Sequence, residues 1–593
     1  MANRTFGWVQ NPAKFSTLKD VVAVFEKDSY MHKALINERI PKLIEYNLAC
    51  DSDTMQRFIN LLNKQSLVLP YSDLKGRGAG SRNRGDAKCS GIIQAVLTGQ
   101  KYINVTDKNG EIIRIKKPYQ DDWSTDGWLR WAISVGLLNY DNNTDTCCIS
   151  ESGKKFINTE HNSVEEKTML GEAYLSYPPA VRILSLLSTG EHLTKFELGS
   201  KLGFIGEAGF TSIPQNIYVH AYNNATTPAE KTEIRNNVEG SSDKYARMIA
   251  GWLCDIGWVE RASKEVKTNY GNKEYSMKIG QSFLITAEGL KNLKKAYGSS
   301  SSKRIPKIVF YEMLATKISD SDYVRGRRAY LIKYLLPRDR TVEECTAHLK
   351  IKGFDDSEAC IIDDIHGLQC MGISVRINRG KYRITDEIIK LDIPVNVTYT
   401  KTDLTIIKDT IRNKLKHINH KYLNLIDLSF DGDSDKEFEI QTIDLLTNEL
   451  SFTGMRLGGS RKPDGIISYN ESGVIIDNKA YSVGYSLPIP QADEMVRYIG
   501  ENQRRNEKEN PNKWWDNFDN KVKDFYFLFV SSIFTGGFTN RLENISIKTG
   551  INGGAINSQN LLYLSEKLKC GELSYDDSFK FFGNKEIMIM NCI

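Results

Sequence analysis

The stretch between residues 458 and 480 constrains this chain more than any other part of its sequence. Two apolar runs there flank Asn470-Glu471-Ser472-Gly473, a pattern that predicts a β-hairpin. Asp464 stands at the start of the first predicted strand, and Asp477 and Lys479 lie two residues apart on the second. Because successive side chains of a strand point to opposite faces, Asp477 and Lys479 should leave the same face of the sheet. The hairpin therefore directs two carboxylates and a lysine towards one place.

These side chains suit a magnesium site that hydrolyses phosphodiesters. Mg²⁺ prefers oxygen ligands such as carboxylates, and it stabilises the charge that builds on a phosphate under attack. The candidate ligands are Asp464, Asp477, the carbonyl of Asn478 and, directly or through water, Glu439 of a helix expected at residues 434–450. Lys479 could orient or deprotonate the attacking water, or neutralise charge on the phosphate. We predict Asp464, Asp477 and Lys479 as the catalytic residues.

The alternative for an Asp-x-Lys pattern is a surface salt bridge, which contributes little to stability. The apolar second strand argues against it, since burying Asp477 and Lys479 is costly unless they are paired or bind a metal. A histidine-ligated metal centre is excluded in this part of the chain, because none of the eight histidines lies beyond His420.

The chain has 593 residues, which is too long for a single hydrophobic core. Changes of pattern and polar linkers predict four domains, which are residues 1–172, 173–298, 305–396 and 401–593. Short helices are followed by strand-like pairs in the second and third, which predicts α+β, winged-helix-like domains there. The last shows helix, hairpin, strand, helix and strand in order, which predicts an α/β domain with a mixed central sheet flanked by helices.

The second domain carries the clearest sign of DNA binding. A helix is predicted at residues 243–257, with Ser242 as its N-cap and Lys244 and Arg247 near its start. Strand-like segments follow it, a pattern typical of a winged helix-turn-helix that offers this helix to a major groove. A small α+β domain with an ordinary surface helix is the alternative.

Two other segments bear on DNA contact. Residues 75–85 hold four glycines, three arginines and a lysine, which fits close approach to phosphates or base edges and fits a solvated flexible loop equally well. The third domain has no such loop and ends in a wing-like pair of strands at residues 372–377 and 381–384. Contact with protein is therefore at least as well supported there as contact with DNA.

Composition sets outer limits on these interpretations. A net charge of +5 is weak evidence for nucleic-acid binding over the whole chain, so local charge matters more. No apolar run reaches the length of a membrane span and the N-terminus shows no apolar signal segment, so we expect a cytoplasmic protein with no membrane partner. The ten cysteines form no Cys-x-x-Cys motif, which favours free thiols over disulfides or zinc.

Longer strings of residues resemble a known family. Pro463-Asp464 with Asp477-Asn478-Lys479 is similar to the catalytic motif of the PD-(D/E)xK nucleases. The chain resembles, more specifically, the FokI family of type IIS restriction endonucleases, and the likeness runs from end to end. The segments that carry it in the last domain are residues 457–465, 477–482, 491–495 and 512–515, and those in the preceding domains are residues 4–12, 176–180 and 241–248.

The resemblance implies how the domains divide the work. Three winged-helix-like subdomains would read a short asymmetric site in double-stranded DNA, similar to GGATG, and the third would mainly hold the nuclease domain. The nuclease domain would cut downstream at a fixed distance with Mg²⁺ as cofactor. The base-reading residues implied by the matching motifs are Gln10, Asn11, Arg84, Trp123, Asn236, Glu239, Lys244 and Arg247. Arg and Lys suit guanine, Asn and Gln suit adenine, and Glu suits the amino group of cytosine.

The resemblance also implies partners. Asp493 and Arg497 match the pair through which two nuclease domains dimerise on DNA, and a cognate DNA methyltransferase would accompany the enzyme in a prokaryotic cytoplasm. Residues 100–118 look like an insertion, onto which no family contact maps. The other interpretations are a structure-specific repair or resolvase nuclease of the same fold and a non-catalytic DNA-binding regulator. If the protein were a non-catalytic regulator, its catalytic residues should be lost, whereas Asp464, Asp477 and Lys479 are all present.

Overall fold

The first region of the chain, residues 4–162, is mainly helical. The computed structural model describes residues 4–77, 87–225, 227–270, 273–298, 303–316, 320–395, 397–459 and 461–589. The helices of the first region are Phe15–Ala23, Tyr30–Ala34, Leu35–Arg39 (a π-helical turn), Ile40–Glu45, Ser52–Leu62, Tyr71–Lys75, Ile92–Val96, Asp122–Ser134 and Glu151–Ile157. Strands Leu69–Pro70, Thr146–Ile149 and Leu138–Asp141 form one small antiparallel sheet. The predicted insertion forms an exposed hairpin of its own, Tyr102–Thr106 with Ile112–Lys116.

The second region, residues 163–298, has the winged-helix pattern that the sequence predicts. Its helices are Val164–Ser176, Pro178–Leu187, Lys195–Gly199, Gln215–Asn224, Pro228–Asn237, Ser241–Asp255 and Ala287–Tyr297. The wing is a long antiparallel hairpin, Val259–Tyr270 with Lys273–Ile285, and Leu193–Thr194 pairs with its second strand. The predicted boundary at residue 172 falls inside helix Val164–Ser176.

Helix Ser241–Asp255, which we call the reading helix after the role predicted for it, begins two residues earlier than predicted. The prediction of Ser242 as its N-cap is wrong, because Ser242 is fully buried inside the first turn. The cap is Gly240, whose N–H donates to the carboxylate of Asp243 at 2.9 Å. Asp243 also accepts from the amide of Ile213 at 2.9 Å, so one buried carboxylate satisfies two backbone donors and fixes the start of the helix.

The third region, residues 303–395, is a smaller α+β unit. Helices Ser321–Leu335, Val342–Ile351 and Glu358–Met371 precede a hairpin of strands Val375–Asn378 and Lys381–Ile384, which confirms the predicted wing-like pair. Strand Ile388–Ile389 pairs in parallel with Lys307–Ile308 and closes the region on itself.

The last region, residues 397–589, is built on a six-stranded mixed sheet. In order across the sheet the strands are Thr453–Arg456, Gly465–Tyr469, Ser472–Lys479, Asp524–Ser531, Gly553–Asn557 and Lys585–Glu586. The first three pair antiparallel and the remaining pairs are parallel, so the predicted mixed sheet is confirmed. The flanking helices are Asp403–Lys414, Asn424–Ser429, Asp435–Asp444, Leu445–Glu449 (a π-helical turn), Ile489–Arg504, Phe538–Thr549, Ser558–Cys570 and Tyr575–Ser578.

The central hairpin is tighter than predicted. Tyr469 pairs with Ser472, so Asn470 and Glu471 alone form the turn, and Asn470 has a left-handed φ of 51°. Asparagine tolerates this conformation better than most residues, which suits a two-residue hairpin turn. The short turn fixes the register that sets Gly465 opposite Ile476.

The last region packs against the second and third. Gln441 Nε2 donates to the carbonyl of Ser212 at 3.1 Å, and apolar side chains from both regions join in one core. Towards the third region, Asp363 accepts from Arg412 Nε at 2.7 Å and lies 2.9 Å from His420 Nδ1. The last region is therefore docked by both apolar and ionic contacts. Every helix in the described ranges is too short or too polar to cross a bilayer.

Gly372 of the third region packs against Pro178 of the second region, and it offers a test of the contact between these two regions. It ends helix Glu358–Met371 with a φ of +107°, and a Cβ there would lie 2.0 Å from the carbonyl oxygen of Pro178. We expect Gly372→Ala to combine backbone strain of about 1–2 kcal/mol with overpacking of about 1–3 kcal/mol. Gly380→Ala is the control, since its φ is +74° and nothing lies within 4 Å of its Cβ position. Urea unfolding should show a clearly larger loss for Gly372→Ala, and equal losses would contradict the packing.

Candidate active site and DNA interface

The hairpin brings the three predicted catalytic side chains together. Lys479 Nζ lies 2.7 Å from Asp477 Oδ1, so the two side chains share a face of strand Ser472–Lys479. Asp464 enters from the loop before strand Gly465–Tyr469, and its Oδ2 accepts from the backbone N–H of Asn478 at 2.6 Å. One backbone hydrogen bond thus ties the first carboxylate to the strand that carries the other two groups.

Electrostatics at this site favour a bound cation. Burial, followed by the charge of Asp464, raises the pKa of Asp477 well above its usual value. The same two causes raise the pKa of Glu439 to about 7. Burial alone would lower the pKa of Lys479, but the charges of Asp477 and Asp464 outweigh it and raise that pKa. Lys479 is therefore held as a cation, and one lysine is shared by more than one carboxylate.

The donor set fits a divalent, oxygen-seeking metal. Asp464 and Asp477 supply hard carboxylate oxygens, and the carbonyl of Asn478 follows directly on the same strand. Glu439 is less available, because Arg456 holds its carboxylate with Nη2 at 2.6 Å and Nε at 3.0 Å. Direct ligation by the two aspartates, with Glu439 acting through water, is the arrangement that these contacts favour.

A second acidic cluster lies between the third and last regions and does not suit a metal. Asp356, Cys360 and Asp409 place their ligand atoms within 4.8 Å of one another. Arg327 and Lys401 already lie 3.1 and 2.9 Å from Asp356. Because these cations neutralise the cluster, it is an ion-pair network that joins the two regions.

Three of the predicted base-reading residues of the first region meet at one place. With its amide oriented to satisfy both groups, Asn11 accepts from Trp123 Nε1 at 3.0 Å and donates to the carbonyl of Gln10 at 3.2 Å. The segment is attached to the reading helix, since Trp252 Nε1 donates to the carbonyl of Pro12 at 2.8 Å. Trp123 is 44% exposed although its ring is large. Arg84 lies outside the described residues.

The base-reading candidates of the second region are arranged differently from the prediction. Glu239 is only 7% exposed and accepts from Arg247 Nε at 3.0 Å and from the buried ammonium of Lys195. Lys244 is half-buried on the reading helix, and Asn236 is exposed at the end of helix Pro228–Asn237. Glu239 and Arg247 therefore pair with each other here, whereas the prediction has each of them contacting a base.

Lys195 is the residue of this cluster that the sequence analysis missed. Burial alone would raise the pKa of Glu239, but Lys195 and then Arg247 outweigh it and lower that pKa. Lys195 follows the helix cap Thr194, a position at which a lysine is ordinarily solvated. Lys195 and Glu239 lie 44 positions apart in the sequence, and only the fold, which brings their side chains together, shows the contact.

The two predicted dimerisation residues lie on the outer side of helix Ile489–Arg504. Asp493 is exposed and pairs with Lys548 at 3.2 Å. Arg497 pairs with Glu494 at 2.9 Å. Both side chains are reachable from outside the chain, as a dimer contact requires.

A mixed sheet that carries two aspartates and a lysine at one hairpin defines a nuclease domain of the PD-(D/E)xK type. Four family models match the chain, and they describe FokI recognition subdomain 1 at residues 4–159, recognition subdomain 2 at 166–301, the D3 domain at 314–380 and the cleavage domain at 401–588. The chain belongs to the FokI family of type II restriction enzymes.

Relatives and solved structures agree along the whole length. The chain is 42% identical to the type II restriction enzyme FokI of Planomicrobium okeanokoites, covering 98% of this chain and 99% of that one. It is 30% identical to the type II restriction enzyme StsI of Streptococcus sanguinis, covering 96% and 94%. Solved structures of FokI and of FokI bound to DNA are each 41% identical, with TM-scores of 0.89 and 0.90 over 99% of this chain and 100% of theirs. The predicted family and fold class are confirmed.

Breaking the cluster around Glu239 tests whether its main role is to stabilise the folded protein. Glu239→Ala should destabilise the protein by about 3 kcal/mol, because it leaves the ammonium of Lys195 buried without a partner. Glu274→Ala removes an exposed partner of Lys267 and should cost less than about 1 kcal/mol. Urea unfolding of both variants would measure the difference. Equal stability of the two would show that the cluster contributes nothing to folding.

Proposed function

We propose that this protein is a type IIS restriction endonuclease that reads a short asymmetric duplex site, similar to GGATG, and cuts both strands at a fixed distance downstream. The observation that carries the proposal is the meeting of Asp464, Asp477 and Lys479 at one hairpin, in a chain that matches FokI over its whole length. A structure-specific nuclease would not need recognition regions of this extent. A non-catalytic regulator would not need to keep a crowded, partly buried acidic site.

The proposed division of labour follows four domains. Residues 1–172 and 173–298 read DNA, residues 305–396 hold the nuclease domain, and residues 401–593 cut. The ion pairs from Asp363 to Arg412 and His420 support the holding role, because they tie the third region to the last.

The chemistry would use Mg²⁺ held by Asp464 and Asp477, with the carbonyl of Asn478 and with Glu439 through water. The ion, when bound, supplies positive charge that polarises the scissile phosphate. Lys479 is 2.7 Å from Asp477 and its pKa is raised, so it stabilises negative charge on the phosphate and is a poor proton acceptor. This favours an electrostatic role for Lys479 over that of general base.

Recognition of double-stranded DNA would combine the first region with the reading helix. The proposed reading residues are Gln10, Asn11, Arg84, Trp123, Asn236, Glu239, Lys244 and Arg247. Gln10, Asn11 and Trp123 are already grouped beside the reading helix. For Glu239 or Arg247 to contact a base, their mutual ion pair must first rearrange.

Two chains would cooperate on DNA. One metal site cuts one strand, so a double-strand break requires a second nuclease domain, and Asp493 with Arg497 would form that homodimer contact. Restriction of this kind also requires a cognate DNA methyltransferase that protects host sites.

The function is tested directly by mapping the ends of cut plasmid. The wild type with Mg²⁺ should give discrete ends at a fixed distance from one short motif. Asp464→Ala should lower the cleavage rate by roughly three orders of magnitude while DNA binding persists. Asp516→Ala changes an exposed aspartate of the same domain and should cut normally. Scattered ends would refute site specificity, and loss of binding in Asp464→Ala would show that its role is structural.

Lys244→Ala tests the reading helix. If Lys244 contacts a base, the variant should lose about 1–3 kcal/mol of specific binding and discriminate less at one base pair. Lys291→Ala removes an exposed lysine of helix Ala287–Tyr297 and should leave site preference unchanged. Competition binding across single-base variants of the site would measure the site preference of both variant proteins. An unaltered preference in Lys244→Ala argues against the assignment.

Arg497→Ala tests the dimer. It should slow the conversion of nicked to linear plasmid, most strongly at low enzyme concentration, where association limits the second cut. Arg504→Ala is a matched control, because Arg504 lies on the same helix and pairs with Glu509 at its end. Wild-type rates for Arg497→Ala at the lowest enzyme concentration would contradict a dimer contact at this residue.

A further inference from the structure

A cavity of about 350 Å³ lies where the second, third and last regions meet. Residues between Phe196 and Gln215 form much of its wall, and His366 and Cys370 contribute from the third region. The last region completes the wall with Asn419, Lys421, Asn424 and Gln441. The catalytic side chains do not line this cavity.

Cys370 has a polar environment that is unusual for a buried thiol. Its Sγ lies 3.4 Å from Nε2 of His366, which is one turn earlier on helix Glu358–Met371. Nη2 of Arg182, from helix Pro178–Leu187, approaches the same sulfur at 3.6 Å. A histidine and an arginine that both face a cysteine sulfur favour the thiolate over the thiol.

We propose that Cys370 is a reactive thiolate, positioned by His366 and Arg182, and that it is a modification site for small uncharged electrophiles that enter this cavity. With an alkyl halide, the sulfur attacks the carbon, an S–C bond forms, the C–X bond breaks and the halide leaves with its electron pair. No oxidant or reductant is needed. The thiolate can be the attacking species without giving up a proton in the step.

The electrostatics of Cys370 support this geometry. Burial alone would raise the pKa of its thiol, but the hydrogen bond from His366, the charge of His366 and Arg182 outweigh it and lower that pKa. The hydrogen bond with Cys370 raises the pKa of His366 in turn, and Asp363 adds to that effect. Six other described cysteines have a raised thiol pKa, and they are Cys50, Cys89, Cys147, Cys254, Cys345 and Cys360.

Two residues of the cavity wall carry unsatisfied buried acceptors, which indicate the kind of ligand. Within the described chain, Asn424 Oδ1 and Glu207 Oε2 accept no hydrogen bond although both residues are more than nine-tenths buried. Both residues line the cavity. The other carboxylate oxygen of Glu207 accepts from Arg328 Nη2. A buried acceptor without a donor is costly, so a ligand that carries an N–H or O–H donor is favoured. The proposed class is therefore a small electrophile with an amide or hydroxyl group.

Iodoacetamide, which has both the electrophilic carbon and the amide, is the test probe. The intact protein is treated with limiting reagent at pH 7, and each cysteine-containing peptide is quantified by mass spectrometry over time. Cys370, which is 6% exposed, should be alkylated roughly tenfold faster than the exposed Cys50, because thiolate content outweighs access. Faster alkylation of Cys50, or unmodified Cys370, would overturn the proposal.

The pH dependence and a variant separate a positioned thiolate from a merely accessible thiol. The alkylation rate of wild-type Cys370 should rise through an inflection below that of Cys50. His366→Asn should move this inflection upwards and slow alkylation at pH 7. His348→Asn is the control, because the ring of His348 stacks on Tyr334. This variant should leave the inflection and the alkylation rate at pH 7 unchanged. An inflection of wild-type Cys370 at or above that of Cys50 would overturn the proposal even if His366→Asn failed to fold.

Discussion

The site depends on two aspartates whose charges act on each other's surroundings and on one lysine, Lys479. Asp477 is 4% exposed and the charge of Asp464 acts on it, so the ionisation of Asp477 is made harder. Lys479 compensates this crowding only in part, because a single ammonium faces more than one acid. A divalent cation completes the balance, which is why the arrangement suits metal-assisted phosphodiester cleavage.

The rest of the chain positions this cluster and restricts it. The tight turn at Asn470 sets the register of the hairpin, and strand Asp524–Ser531 pairs in parallel with the strand that carries Asp477. The docked nuclease domain shares its core with the second region, which also carries the reading helix. The second and last regions are thus parts of one packed unit.

The local elements could be predicted from the sequence because they depend on short-range rules. Alternation along the strand gave the shared face of Asp477 and Lys479, and apolar periodicity gave the reading helix to within two residues. Contacts that join distant segments could not be predicted in this way. Ser242 is an ordinary N-cap residue, but the fold brings the amide of Ile213, 30 positions earlier in the chain, to the carboxylate of Asp243, which also accepts from the N–H of Gly240. Lys195 likewise has no local signal that it will meet Glu239.

The central claim is that the acidic cluster is incomplete without a divalent cation, and thermal unfolding in the absence of DNA tests it most directly. The wild type should gain several degrees in Tm when Mg²⁺ is added well above its Kd, because a ligand that binds only the folded state stabilises it. Asp477→Asn, which removes one of the crowded charges, should be at least as stable as the wild type without metal and should not respond to Mg²⁺. A wild type that does not respond to Mg²⁺, together with an Asp477→Asn variant of lower stability, would contradict the account.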